Sequence, residues 1–184
     1  MEITLFRKSG NKEVINRVEL DDVAARIKDE LAREHVRQLR QYYHLMRPQR
    51  QEDGSITTQW KDGINLPRLC FAALYDNRKG ERRMLRYNAL VVLEMNDLPD
   101  YDTAVAVRNQ AKRMPETLMC FLGASGKSVK IVVRGELYGA GGLPKEEEDI
   151  KVFHRNIYNT ARSAYQNQFG FGISYMEPRL YRTV

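Results

Sequence analysis

Two groups of residues have types and spacings that could do chemistry. The first is Glu94 and Asn96, two positions apart at the polar end of the apolar run Leu90-Val91-Val92-Leu93. Side chains two apart on a strand share a face, so two oxygen-bearing groups there can lean onto one divalent ion. Two-metal nucleotidyl transfer needs such a pair and a further carboxylate, with ions held about 3.5–4 Å apart. The second group is the small polar turn Gly123-Ala124-Ser125-Gly126-Lys127-Ser128. Its last three residues match the end of a phosphate-binding P-loop. That motif, however, needs a glycine where Phe121 stands and a helix after the serine. The residues after Ser128 are instead rich in β-branched side chains and alternate, with Val129, Ile131 and Val133 on one side and Lys130, Val132 and Arg134 on the other. The stretch Met119 to Arg134 therefore reads as strand, tight turn, strand.

Cations form a third feature. Ala32, Val36, Leu39, Tyr43 and Met46 recur at helical spacing and make an apolar face. One position on, Arg33, Arg37, Arg40, His44 and Arg47 make a basic stripe, and Arg82, Arg83 and Arg86 form a second cluster. Such a stripe is either a solvated face or a surface that tracks nucleic-acid backbone and releases counterions.

These residues need elements to position them. Ile3 and Leu5 predict a first strand, turned at Gly10-Asn11. Asp21 or Asp22 predicts the N-cap of a long helix to about Met46, stopped before Pro48. Residues 48–66 read as a loop, with Trp60 tucked onto the core. Leu69 to Tyr75 and Leu85 to Met95 read as strands joined by a turn at Asp76-Asn77-Arg78-Lys79-Gly80. Asp102 predicts the cap of a short helix burying Ala104, Val107, Ala111 and Met114. With the strand at Leu118 to Leu122 it makes a crossover unit. Tyr138 to Asp149 reads as an acidic loop. Ile150, Phe153, Ile157, Ala161 and Ala164 mark another helix, closed by Gly170, before extended pieces at Ile173 to Tyr175 and Leu180 to Thr183. Tyr42, Tyr43, Tyr158 and Tyr165 read as helix-packing residues rather than base-stacking platforms. The expected fold is α/β (α+β): a mixed, largely antiparallel sheet with packed helices.

Composition bounds the function. At 184 residues and 42% hydrophobic, the chain can fill one core, without repeats or low-complexity tracts. No apolar stretch reaches the roughly 20 residues that span a bilayer, so no membrane partner is expected. Cys70 and Cys120 lie in apolar runs and read as buried free thiols, as suits a reducing cytoplasm. A formal charge of +6 and a pI near 9.3 favour a polyanionic partner.

The order YNALVVLEMNDL, a helix, and then LMCFLGASGKSVKIVVRGE resembles the core of the archaeo-eukaryotic primase-polymerase superfamily. The closer likeness is to its bacterial VirE N-terminal-like branch, which begins with a segment like ITLFR and then a helix, so the resemblance spans nearly the whole chain. That branch stands at the front of replication and mobile-element proteins. The resemblance implies a single domain over 1–184, either standing alone or as the N-terminal part of a longer protein.

In the superfamily, a strand ends in a metal-binding Asp-x-Asp. A Ser-Gly-x-Gly turn leading to a basic residue contacts nucleotide phosphates, and a later acid completes the metal site. The first motif falls on Glu94 and Asn96, with Asp97 beside them. The second falls on Ser125, Gly126, Lys127, Ser128 and Lys130, with Ser128 at the second glycine. The third lies near Glu177 and Arg179.

The resemblance implies that Glu94, Asn96 and Lys130 do catalysis, with Mg²⁺ or Mn²⁺ held by Glu94, Asn96, Asp97 and Glu177. It also implies DNA, a nucleoside triphosphate and replication proteins as partners. Asn96 is neutral where the family has a charge, which weakens cation binding. The expectation is therefore a degenerate domain that binds DNA through Arg33, Arg37, Arg40, Arg47, Arg82, Arg83 and Arg86. An active nucleotidyltransferase and a non-catalytic protein-interaction domain are the alternatives.

Overall fold

The alternating stretch after Ser128 becomes strand β10 (Val129–Arg134), which lies between β8 (Leu90–Met95) and β9 (Thr117–Leu122) and pairs antiparallel with both. The computed structural model describes residues 1–9, 12–43, 49–50, 56–57, 66–78, 81–137, 142–169, 172–173, 178–180 and 183–184. β8 and β9 therefore run parallel with β10 between them, and helix α3 (Tyr101–Ala111) connects them. The expected crossover unit is present, split by one inserted strand.

The two faces of this sheet feed two cores. Val91, Leu93, Met95, Val129, Ile131 and Val133 pack under α3 and α4 (Glu147–Phe169), against Ala104, Val107, Tyr158 and Tyr165. Leu90 and Val132 lie on the opposite side with Ile3, Leu20, Val23 and Phe71, and Val92, Met119 and Phe121 pack around them. Both faces are covered, which explains why β8 reads as a continuous apolar run. Full burial of each large aliphatic side chain here contributes about 1.5–3 kcal/mol.

The second layer is the antiparallel sheet β2-β1-β5, built from β1 (Glu2–Ser9), β2 (Lys12–Glu19) and β5 (Arg68–Cys70). Backbone bonds between Leu69 and Val184 run in both directions (2.8 and 2.9 Å), so the last residue extends that sheet edge. β6 (Ala73–Arg78) and β7 (Glu81–Tyr87) form a hairpin beside it, with a register irregularity between Leu74 and Tyr75. The architecture is α+β with antiparallel sheets, as expected. No helix among the described residues is long and apolar enough to cross a membrane.

Several boundaries differ from the sequence expectation. The single long helix is two: α1 (Leu20–Lys28) and α2 (Arg33–Tyr43). Asp29 closes α1, Glu30 takes φ 52°, and the amides of Asp29, Glu30 and Leu31 return to Ala25, Ile27 and Arg26. Apolar periodicity cannot reveal this break, because a glutamate holds the left-handed position that usually falls to glycine or asparagine. Glu19, not Asp21 or Asp22, precedes the first turn, and the two aspartates sit inside it, where the helix dipole favours them.

The predicted strand Leu85 to Met95 is broken at Asn88-Ala89, where Ala89 has φ 53°. The Asn88 side chain donates to the carbonyls of Glu2 (3.0 Å) and Phe71 (3.2 Å), and this clamp joins the two layers. Leu69 to Tyr75 is likewise interrupted at Phe71-Ala72. The stretch 48–66 carries a two-residue ladder, β3 (Gln49–Arg50) with β4 (Ile56–Thr57). Strand β2, unanticipated from the sequence, is an exposed edge whose charges hide its pleat. Helix α3 is capped by Asp100, whose carboxylate accepts from the Thr103 amide at 2.7 Å, and Asp102 lies in its first turn. Helix α4 starts at Glu147, inside the expected acidic loop, and runs to Phe169, next to the expected stop at Gly170, with Tyr158 and Tyr165 buried as expected. The expectations for Gly10-Asn11, His44, Arg47, Trp60, Glu177 and the side chains of Tyr42 and Tyr43 lie outside the described residues.

Candidate functional site

The sheet brings the two chemical groups of the sequence to one end. The register sets Lys130 directly opposite Glu94 and places Phe121 on its other flank. The loop after β8 and the turn before β10 are tied there, because the Leu98 amide donates to the Lys127 carbonyl at 2.9 Å. Glu94, Asn96, Asp97, Ser125, Gly126, Lys127, Ser128 and Lys130 therefore share one neighbourhood.

Within it, Lys130 donates to the Glu94 carboxylate in a close ion pair, and the two side chains are 18% and 6% exposed. The amide nitrogen of Asn96 lies 3.5 Å from the same carboxylate oxygen. Asp97 is exposed, on a backbone with φ 56°. An ammonium thus already occupies the carboxylate that a metal would need, and its neighbour presents a neutral amide. A divalent cation bound by Glu94 and Asn96 would have to displace this ammonium. Among the described residues no three His, Cys, Asp or Glu side chains are grouped, and Glu177 lies outside them.

The turn is built by its own bonds. The Gly123 amide donates to the Ser128 carbonyl (2.8 Å), the Gly126 amide to the Gly123 carbonyl (3.0 Å), and the Lys127 amide to the Ser125 hydroxyl (3.2 Å). Ser128 is buried against Gly123, where a Cβ would stand 2.0 Å from its hydroxyl oxygen. Gly126 has φ 74°, which glycine adopts without strain. The strand after Ser128 excludes the P-loop arrangement, as the sequence indicates.

A cation from elsewhere in the chain reaches this turn. Arg40 on α2 donates through Nε to the Ala124 carbonyl at 3.1 Å, and its guanidinium lies 5.5 Å from the Tyr101 ring centre. Residues 84 positions apart meet here. Helical spacing places Arg40 in the stripe but carries no signal of this contact.

Four of the other predicted cations, Arg33, Arg37, Arg82 and Arg86, are engaged by glutamates. Arg37 makes a two-pronged contact with Glu34 (2.9 and 3.0 Å), and Arg33 lies 3.4 Å from Glu30. Arg82 pairs with Glu13 at 2.8 Å and stacks 4.9 Å over Phe6. Arg86 approaches Glu2 (4.0 Å) and bonds to the Asn88 oxygen. Arg83 stands opposite Asp76 in the hairpin.

A buried polar group that the sequence did not single out lies under α4. His154 Nδ1 is 3.1 Å from the Tyr87 hydroxyl. Burial pulls the imidazole down to about 4 and pushes the Tyr87 hydroxyl up. His154 also lines a small cavity of about 20 Å³ with Phe71, Leu90, Val92, Tyr158 and Arg179. Cys70 is a free thiol, pushed up to about 11 by burial, and donates to the Leu180 carbonyl. Cys120 is free and half-buried.

No curated protein and no solved structure matches the chain. A family model described as BT4734-like, N-terminal domain, matches residues 62–184. The match takes in β5 to β10, α3, α4 and the turn at Gly123–Ser128, and leaves α1, α2 and Arg40 upstream. The chain belongs to the BT4734-like N-terminal domain family.

Proposed function

We propose that this chain is a degenerate primase-polymerase-like domain that binds DNA in the replication of a mobile element, without the metal-dependent nucleotidyl transfer of an active primase or polymerase. The observation that carries this reading is the Glu94–Lys130 ion pair at the end of β8 and β10. It keeps the acid and the base at the places the superfamily resemblance assigns to metal and phosphate, but turns them towards each other. The surface this reading assigns to polyanions, nucleotide phosphates included, is the basic one around the neighbouring turn, with Arg40 and Lys127. Replication proteins are the partners this reading expects.

Fluorescence anisotropy with labelled single- and double-stranded oligonucleotides tests it. Binding should be sequence-tolerant and steeply salt-dependent, with log K falling by about 0.7 per contacted phosphate on a single strand per unit of log salt. Absence of binding at low salt would remove the nucleic-acid reading. A non-catalytic protein-interaction domain would then stand. One observation favours that second reading: Arg33, Arg37, Arg82 and Arg86 are each held by a glutamate of the same chain.

A further inference from the structure

We infer that the phosphate grip of this domain is made by Arg40 of α2 and Lys127 of the β9–β10 turn, and that its ligand is the backbone of a nucleic-acid strand. The inference rests on the DNA-binding reading above and names the residues that carry it. Three observations lead to it.

First, Lys130, the cation that the superfamily resemblance would place on a phosphate, is withdrawn. Its ammonium sits on the nearly buried Glu94 carboxylate. Second, the amides of Gly123, Gly126 and Lys127 are satisfied inside the turn, so those N–H groups do not form a phosphate cradle. Side-chain cations beside the turn can supply the contact to an anion instead. Third, Arg40 differs from the arginines beside it on α2. Arg33 and Arg37 are paired to Glu30 and Glu34, whereas Arg40 has no carboxylate partner among the described residues. Its Nε is fixed by the Ala124 carbonyl, its Cζ lies 5.5 Å from the Tyr101 ring centre, and the guanidinium packs beside Gly126 of the turn. A guanidinium fixed in this way is preorganised for a phosphate, because its donors form a rigid fork.

Lys127 is half-buried in the same turn, and Asp100 is held below its usual range chiefly by the hydrogen bonds from Thr103, with a smaller contribution from the Lys127 charge. Asp100 is already committed to the Thr103 amide as the cap of α3. Asp97 and Asp102 are the other exposed acids on the adjoining segments. Their charges oppose an anion there, which keeps the affinity of the grip modest. A strand fits better than a free nucleotide because the place is open. Tyr101 is 49% exposed beside Arg40, and the cavity lined by His154 and Arg179 lies elsewhere. An exposed aromatic ring next to a phosphate contact suits base stacking along a strand.

The test is anisotropy with a labelled single-stranded oligodeoxynucleotide across a salt series, on the whole chain. Arg40→Gln and Lys127→Gln should each weaken binding about tenfold at low salt and flatten the slope of log K against log salt by about 0.7. Lys151→Gln, on α4 and paired with Glu147 and Glu148, should leave both unchanged. Arg40→Lys loses the Nε bond to Ala124 but keeps the charge, so it should retain the wild-type slope. A purely structural role for Arg40 would instead make the lysine variant fail as the glutamine variant does. Should Arg40→Gln disturb folding, Lys127→Gln carries the same slope test alone. Wild-type binding with unchanged slopes in Arg40→Gln and Lys127→Gln would overturn the inference and leave the DNA-binding reading standing. No wild-type binding would overturn both.

Discussion

At the scale of single residues, the chemistry turns on which partner each charge has found. Lys130 pairs with Glu94, so a metal arriving there competes with an ammonium already in place. Asn96→Asp alone should leave Mn²⁺ binding weak by calorimetry, and Asn96→Asp with Lys130→Gln should tighten it. Equal, tight binding by the single variant would show that the ammonium does not guard the carboxylate.

His154 gives a second residue-scale expectation. Its pKa falls from 6.5 unfolded to about 4 folded, because burial disfavours the charged ring. The unfolded chain therefore binds more protons between these values, and stability falls as pH drops through that window. The stabilisation is complete above the unfolded value and declines by on the order of 3 kcal/mol towards pH 4. Urea melts at several pH values should show this decline. His154→Leu should flatten it, and an unchanged pH profile in that variant would assign the dependence to other groups.

At the scale of elements, close approach decides what is tolerated. A Cβ on Gly135, just past β10, would stand 2.5 Å from Ile157 Cδ1 and 2.7 Å from its Cγ2 on α4. Gly135→Ala should therefore cost about 1–3 kcal/mol by overpacking, read from denaturant midpoints, and Gly135→Ala with Ile157→Val should recover part of it. An unaffected midpoint would mean that α4 shifts without penalty. The elements most legible in the sequence were those whose period survives to the surface. β10 alternates cleanly, and α4 repeats its apolar positions through Tyr158 and Ala161. Less legible were elements defined by a single backbone conformation. Glu30 splits α1 from α2, and Ala89 splits β7 from β8, both in left-handed geometry without glycine. The site followed the same rule. Local spacing placed Glu94, Asn96 and the turn together, whereas Arg40 joined them through a contact that exists only once the chain has folded.

At the scale of the whole molecule, attachment is uneven. Helices α3 and α4 bury residues in the core beneath the split sheet, whereas Leu39 is the buried side chain of α2 among those described. The Arg40 bond to Ala124 is the described hydrogen bond that leaves α2 for another element. Amides of α2 should therefore exchange with solvent well before those of α3 and α4, because sparsely packed units open below the global unfolding free energy. An oligonucleotide bound at the turn should slow α2 and the turn together in hydrogen-exchange mass spectrometry. Protection of the turn alone would separate α2 from the binding surface.

The pairing of Lys130 with Glu94 also bears on how the chain avoids misassembly. β10 supplies alternate residues to two different cores, so a shift of one position exchanges them all. Ile131 and Val133 would leave the layer under α3 and α4, and Lys130 and Arg134 would have to enter it. Burying those two cations without partners costs more than the slipped pairing returns, so the charges on β10 select one register of the sheet.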